Sequence, residues 1–397
     1  GVPALDIDPF SHAFLTNPYP GYDQMREAGP LVWLSQYGIY ATTRHTEVRT
    51  VMSDHANYIS SAGVGLANFN KEPPFRPKSL ILEADPPSHT KVRAVLARIL
   101  SPKAVSQIRE SFSVEADRLF DALVQRAARG EMVDGVKDLA EPYPLKVFPD
   151  AVGLDALGRE NLLLYGDMIF NSFGPRNDLL ARATTRVGPV TAWIMAHCQR
   201  SMLRPGGFGD LIYQAADTGE ITQEEAPLLV RSFLSAGVDT TVNGIGNALL
   251  CLAQNPAQYA KLRAEPRLAR YAFEEALRLE SAVQLFFRTT AQEVALAGHS
   301  IPAGSKVLAF LGGANRDARQ WPHPTQFDID RKPLGHMAFG SGIHGCVGQV
   351  VARLEGELIL TALAKRVERI ELAGEPVRRL NNTLRAMASM PLRLTPV

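Results

Sequence analysis

Cys346 is the residue with the most chemistry to offer. It closes the run Phe339-Gly340-Ser341-Gly342-Ile343-His344-Gly345-Cys346, and Val347-Gly348 lead from it into QVVARLEGELILTALAKRV, which has strong helical spacing. A cysteine at or just before a helix N-terminus meets unpaired backbone N–H groups and the positive end of the helix dipole, and both stabilise a thiolate. The glycines let the chain turn tightly and approach a flat object closely. Three other readings stand beside a metal-holding thiolate. Cys346 could be a buried structural thiol, a nucleophile served by a distant histidine, or half of a zinc site with His344. No CxxC or HxxxH partner exists to complete the zinc site. The whole pattern Phe-x-x-Gly-x-x-x-Cys-x-Gly is far more specific than any lone residue.

A second constellation lies mid-chain, at Ala236-Gly237-Val238-Asp239-Thr240-Thr241. The surrounding stretch begins with Thr222 and Glu225 in capping-box spacing, runs apolar through Leu252 and stops at Asn255-Pro256. The spacing predicts one helix of about 30 residues, on the order of 45 Å long, crossing the middle of the protein. Gly237 inside it costs about 1 kcal/mol relative to Ala, and a buried Asp239 costs more unless partnered. A tolerated kink, with Thr240 bonding back to the Ala236 carbonyl, and a functional distortion are equally supported by these residues alone.

The elements around the two constellations read as mainly α with small β regions, in one continuous domain over 1–397. Long Ala/Leu/Arg/Glu-rich stretches, such as Lys91 to Ala128, carry helical spacing. Candidate strands lie in LVWLSQYGIYATT, in VALAGHSIPAGSKVLAFLG and in the segment from Leu384. Short breaks such as KEPPFRPKS, ADPPSH, RPGGFGD and WPHPTQ separate them, with no repeat and no long polar linker.

Composition sets outer bounds. With 42 Lys+Arg against 41 Asp+Glu, a nucleic-acid or membrane-surface partner recognised through bulk charge is disfavoured. Three cysteines, Cys198, Cys251 and Cys346, do not make a disulfide framework and suit a reducing compartment. Cys198 and Cys251 read as spectators. The first residues show no basic start followed by an apolar run, and no stretch approaches the roughly 20 apolar residues of a membrane span. A cytoplasmic, freely soluble protein is expected.

Taken with its neighbours, the cysteine motif resembles the haem-binding loop of the cytochrome P450 family, and the resemblance runs over nearly the whole chain. Glu275-Ala276-Leu277-Arg278, 71 residues before Cys346, resembles the family's Glu-x-x-Arg. Its third member would be Arg331 in FDIDR, completing a buried charge network. Asn315-Arg316-Asp317 resembles the family's Asn-Arg-Asp-Pro stretch, with Ala318 in place of Pro at a surface turn. The segment around Asp239-Thr240 is similar to the oxygen-binding helix.

That resemblance implies the cytochrome P450 fold, with haem b between the long central helix and the cysteine loop. Cys346 would be the iron ligand. Phe339 would belong to the haem contacts, and His89, Arg93, Arg288 and His344 would be the cations facing the propionates. Asp239 and Thr240 would recruit and position the protons needed for O–O cleavage, with O2 as co-substrate. One oxygen atom would enter the substrate and the other leave as water. No iron–sulfur domain is fused, since three cysteines cannot hold a four-cysteine cluster, so electrons would come from a [2Fe–2S] ferredoxin and an NADH-linked reductase.

A narrower similarity joins PPFRPKSLILEADPP, LLVRSFLSAGVDTTVNGIG and VQLFFRTT to bacterial enzymes of this family that oxidise para-substituted benzoates such as 4-methoxybenzoate, by O-demethylation or hydroxylation. A benzoate needs a polar clamp, a flat apolar sleeve and iron at the far end. Ser232, Ser235/Ala236 and Asp239/Thr240 share a helix face, and Ser235 lies about 7–8 Å from Thr240 along the axis. Arg76, Ser79 and Arg231 would complete the clamp, and Phe170, Phe173, Val283 and Phe286 the sleeve. The competing expectations are a family member with another small substrate or a peroxide-driven one, a non-catalytic haem-thiolate sensor, and a thiol hydrolase using Cys346.

Overall fold

A computed structural model describes residues 1–397. Seven helices carry the site: α1 (Ser88–Ile99), α2 (Arg109–Ala128), α3 (Glu160–Asn171), α4 (Glu225–Ala236), α5 (Asp239–Gln254), α6 (Ala269–Leu279) and α7 (Gln349–Arg366). The stretch from Lys91 to Ala128, expected as one helical run, is broken. Leu100 ends α1, and Ser101 caps a separate turn whose first residue is Pro102. A proline tolerates only a helix start, so the chain restarts there.

The central helix is also two helices. Thr222 and Glu225 do form the reciprocal capping box: the Glu225 N–H donates to the Thr222 hydroxyl at 3.1 Å, and the Thr222 N–H donates to the Glu225 carboxylate at 2.9 Å. The run then fails at Gly237-Val238, where Val238 has φ −120° and ψ −60°, before α5 begins at Asp239. A Cβ at Gly237 would lie 2.3 Å from the Phe148 ring, so only glycine fits. Every residue of α5 from Thr241 to Leu252 is buried, which makes it the centre of the molecule.

β structure is peripheral. A six-stranded mixed sheet pairs Ala4–Leu5, Val32–Leu34, Ile39–Thr42, Lys306–Phe310, Leu285–Thr290 and Tyr58–Ile59 in that order. A C-terminal sheet joins Val367–Leu372, Pro391–Pro396 and Val133–Asp134, and a hairpin joins Val377–Arg379 to Ala386–Ser389. No helix is long and apolar enough to cross a membrane.

α6 and α7 lock together where Gly356 lets the Phe273 ring press onto the α7 backbone; a Cβ there would sit 2.3 Å from the ring. This fixes Glu275 and Arg278, both fully buried. Arg278 binds Glu275 at 2.6 and 3.1 Å and donates to the carbonyls of Asn315, Pro324 and Gln326. Arg331 reaches the same carboxylate at 2.9 Å, and so does the Asp328 N–H. Each buried charge is met by several partners, the condition under which such a cluster holds its shape. It pins the irregular chain from Asn315 to Arg331 that leads to the cysteine loop.

Candidate active site

α7 starts at Gln349, so Cys346 sits just ahead of its N-terminus. The Cys346 N–H donates to the Phe339 carbonyl at 2.8 Å, which closes the loop on itself. Burial pushes the Cys346 thiol up. The Gly348 N–H, Arg93 and Arg353 act against it by favouring the thiolate.

Above this loop a cavity of about 1780 Å³ of atom-free space, its mouth included, runs from Cys346 to the break between α4 and α5. Phe339, Cys346 and Val347 line it at one face and Gly237, Thr240 and Thr241 at the other, so the cysteine loop and the helix break open onto one space. Cationic and polar groups gather on one side of it without anionic partners. His89 and His344 each have a buried, unpartnered Nε2, with ring centroids 4.2 Å apart. Arg288 is 3% exposed, and its guanidinium bonds only to the Phe287 carbonyl at 2.9 Å. Arg93 donates to the Gly345 carbonyl. Burial first, and then Arg288, His89 and Arg93, drive the His344 pKa down to about 3. Two carboxylates are what this donor set fits, so it accommodates the haem propionates. His89, at 2% exposure, is not a solvated helix-start histidine.

Across the cavity, the Thr240 hydroxyl donates to the Ala236 carbonyl at 2.8 Å, spanning the helix break. Asp239 is 2% exposed, and its pKa is raised: burial pushes it up, against Arg379. Arg379, from the C-terminal hairpin, binds Asp239 and also Asp167 of α3. A Cβ at Gly166 would lie 2.7 Å from the Asp239 Cβ, so α3 can come this near only as glycine. Sequence reasoning missed Arg379, Asp167 and Gly166; Arg378-Arg379 reads as ordinary surface charge. It also missed Glu355, which lines the cavity with both carboxylate oxygens buried and unpartnered, its pKa raised by burial.

All ten expected substrate residues, Arg76, Ser79, Phe170, Phe173, Arg231, Ser232, Ser235, Ala236, Val283 and Phe286, line this same cavity. Phe173 packs edge-on to Phe170 at 5.5 Å and tilts against Phe286 at 6.1 Å. Arg76 is not a solvated surface arginine, nor is it a free cation. It forms a bidentate pair with Glu83 at 2.5 and 2.8 Å and lies over the Phe173 ring at 4.8 Å. Its Nε is buried and unpartnered. Ser232 and Ser235 donate to backbone carbonyls of α4, and Arg231 bonds weakly to the Lys78 carbonyl. Cys198 and Cys251 are buried in the core, where burial raises both thiols.

A family model described as Cytochrome P450 matches residues 199–391. The chain is 56% identical over 396 residues to the protein named cytochrome p450 CYP199A2 of Rhodopseudomonas palustris, covering 100% of this chain and 95% of that one. It is 30% identical over 400 residues to a beta-dihydromenaquinone-9 omega-hydroxylase of Mycobacterium tuberculosis, covering 98% and 79%. The crystal structure of CYP109E1 from Bacillus megaterium in complex with testosterone is similar with a TM-score of 0.83 at 27% identity, covering 96% of this chain and 99% of that one.

Proposed function

The chain belongs to the cytochrome P450 family, and from that premise we propose that its substrate is a small aromatic carboxylic acid, oxidised at the substituent para to the carboxyl group. Haem b supplies the oxidising chemistry, using O2 and electrons from redox partners to place one oxygen atom in the substrate. Cys346 would hold the iron, and His89, Arg93, Arg288 and His344 the propionates. Thr240 would hold a proton at its hydroxyl beside the reacting oxygen, and Asp239 would resupply it from the Arg379 side. The electron donor we take to be a [2Fe–2S] ferredoxin with an NADH-linked reductase, acting in the cytoplasm.

Family membership does not choose the substrate: relatives are named for a menaquinone or were crystallised with testosterone. The supporting observation is the polar end of an otherwise aromatic cavity. There the Arg76 Nε–H has no partner, and Ser79, Ser232 and Ser235 bring hydroxyls to the same wall. A carboxylate would accept from the Arg76 Nε–H, and from Ser232 and Ser235 if their hydroxyls turned from the α4 carbonyls they now bind, while the ring lies along Phe170, Phe173 and Phe286.

One observation favours a second reading. Glu83 already neutralises Arg76, and an uncharged polar head group would face no repulsion from it. Titration of the holoenzyme with 4-methoxybenzoate, its methyl ester and its meta isomer, following the haem absorption shift, separates the two. The acid is expected to bind at least about tenfold tighter than the ester, the worth of one charge-assisted hydrogen bond. Equal affinity would replace the acid by the neutral ligand. A meta isomer that is oxidised as well as the para acid would remove the para assignment.

A further inference from the structure

Glu275 serves the charge network described above, but the residue before it, Glu274, points elsewhere and has a different set of partners. Its Oε2 meets His336 Nε2 at 2.5 Å, and its Oε1 accepts from the Arg353 guanidinium. His336 Nδ1 accepts the Ala338 N–H at 3.2 Å, so the ring proton lies on Nε2 and donates to Glu274. His336 therefore belongs to the strand of chain that enters the cysteine loop. Arg353 belongs to α7, which leaves it. Arg353 also lies over the Phe339 ring at 4.7 Å and donates to Gln349 Oε1 at 2.6 Å, and the Gln349 amide donates to the Cys346 carbonyl at 3.1 Å.

We propose that Glu274 is a positioning residue for the thiolate: it ties the two limbs of the cysteine loop together and fixes how strongly the Arg353 cation acts on Cys346. Other ties hold single points of the loop to its surroundings, the Met337 N–H to Asn315 Oδ1 and Ser341 to Ser53, without joining its two limbs. The Cys346 N–H bond to the Phe339 carbonyl closes the tip, while Glu274 closes the open end from outside. The carboxylate is well placed for this, with a side chain only 19% exposed. Burial raises its pKa, but His336 and Arg353 outweigh burial and hold it below the usual carboxylate range, so it is anionic at neutral pH. Gln349 links the Arg353 guanidinium to the Cys346 carbonyl, which keeps this cation beside the cysteine. Outer partners of a metal ligand tune the metal through their fields, and reduction of the iron adds negative charge that a nearby cation stabilises. The inference rests on Cys346 being the iron ligand and is independent of the substrate.

Two variants give opposite signs. In Glu274→Gln the negative charge goes and Arg353 acts unopposed, so the haem midpoint potential is expected to rise. In Arg353→Gln the cation goes and the potential is expected to fall. The double variant should return close to the parent. The reduced carbon monoxide complex of Glu274→Gln should also lose its red-displaced Soret band faster on mild warming. A spectroelectrochemical titration of each holoenzyme reads the potentials. Parent-like potentials in both single variants, or shifts of the same sign, would overturn the proposal, because simple loosening of the loop has no reason to depend on the sign of the charge removed. If Glu274→Gln fails to take up haem, Arg353→Gln still decides: its side chain is 40% exposed, and Glu274 keeps His336 as a partner when it is replaced. An unchanged potential there overturns the proposal as well.

Discussion

Arg379 binds both carboxylate oxygens of Asp239 through one guanidinium nitrogen, at 3.1 and 3.2 Å, across 140 residues of chain. The other terminal nitrogen holds Asp167 of α3, whose Oδ1 also accepts from Asn381 at 2.8 Å. A single cation from the C-terminal hairpin thus serves two acids, one on α3 and one at the start of α5, beside the helix break. This partner offsets part of the cost of burying Asp239 beside Thr240.

Arg379→Gln should therefore unfold at lower temperature than the parent. Breaking a buried pair costs about 3–5 kcal/mol, and since Arg379 is 30% exposed, about 1–3 kcal/mol is expected. Adding Asp239→Asn should restore part of the loss, because the stranded acid is gone. Asp239→Asn alone should slow product formation about 10²-fold, the scale of a lost proton-transfer group. Thermal midpoints and product assays of the three variants check both parts; additive losses in the double variant would break the argument.

Thr240 bears on how reducing equivalents are used. Its hydroxyl donates to the Ala236 carbonyl, leaving its lone pairs free to accept a proton-bearing partner in the cavity. Thr240→Val keeps the shape and removes the hydroxyl. A hydrogen bond worth about 1 kcal/mol corresponds to roughly a fivefold change in partition, so product per NADH should fall by about that factor, with hydrogen peroxide making up the difference. Parent-level yield would take Thr240 out of the proton route.

What could be read from residues alone follows from how local each signal is. The capping box at Thr222 and Glu225 depends on two side chains three residues apart, and it forms as read. The back-bond from Thr240 to Ala236 is equally local. A distortion at Gly237 was legible, but not a full division into two helices, because the apolar pattern continues straight through Gly237-Val238; the Phe148 ring that leaves no space for a side chain at Gly237 is brought in by the tertiary fold. Arg76 shows the same limit. Its partner Glu83 is seven residues away, but the chain between is irregular, so no periodicity sets the two face to face. Arg379 and Asp239 pair across the whole C-terminal third, and nothing in Arg378-Arg379 marks one arginine as the partner of a buried acid.

The contact between α6 and α7 yields a packing test. Gly356→Ala would drive a methyl to within 2.3–2.5 Å of three atoms of the Phe273 ring, which is itself 1% exposed and has nowhere to go. Overpacking of this kind costs about 1–3 kcal/mol. Phe273→Leu in the Gly356→Ala background should recover stability relative to Gly356→Ala alone, although Phe273→Leu is destabilising in the parent. That reversal of sign, read from thermal midpoints of the four proteins, is expected only if the ring and the methyl compete for one space.

Lys306 gives the pH prediction. Its ammonium donates to the Gly63 carbonyl at 2.8 Å, and the side chain sits in the six-stranded sheet behind the cavity at 7% exposure. Burial drives its pKa down from 10.5 to about 7; Glu83 opposes the shift, and Arg288 and Arg76 add to it. Between about pH 7 and 10.5 the unfolded chain then holds a proton that the folded apoprotein has released. More protons on the unfolded side means that stability rises with pH through this window, by up to ~1.4 kcal/mol per unit from this one group. Below about pH 7 both states are protonated, the full cost of burying the ammonium is present and the slope vanishes. Lys306→Met should therefore stabilise the apoprotein most below pH 7 and progressively less towards pH 10. In the holoenzyme the propionate negative charge expected beside Arg288 lifts the Lys306 pKa, so the window should move upward and narrow. Denaturation of parent and variant at several pH values measures the difference; a gap that stays constant from pH 6 to 10 would mean that Lys306 does not change its charge on folding.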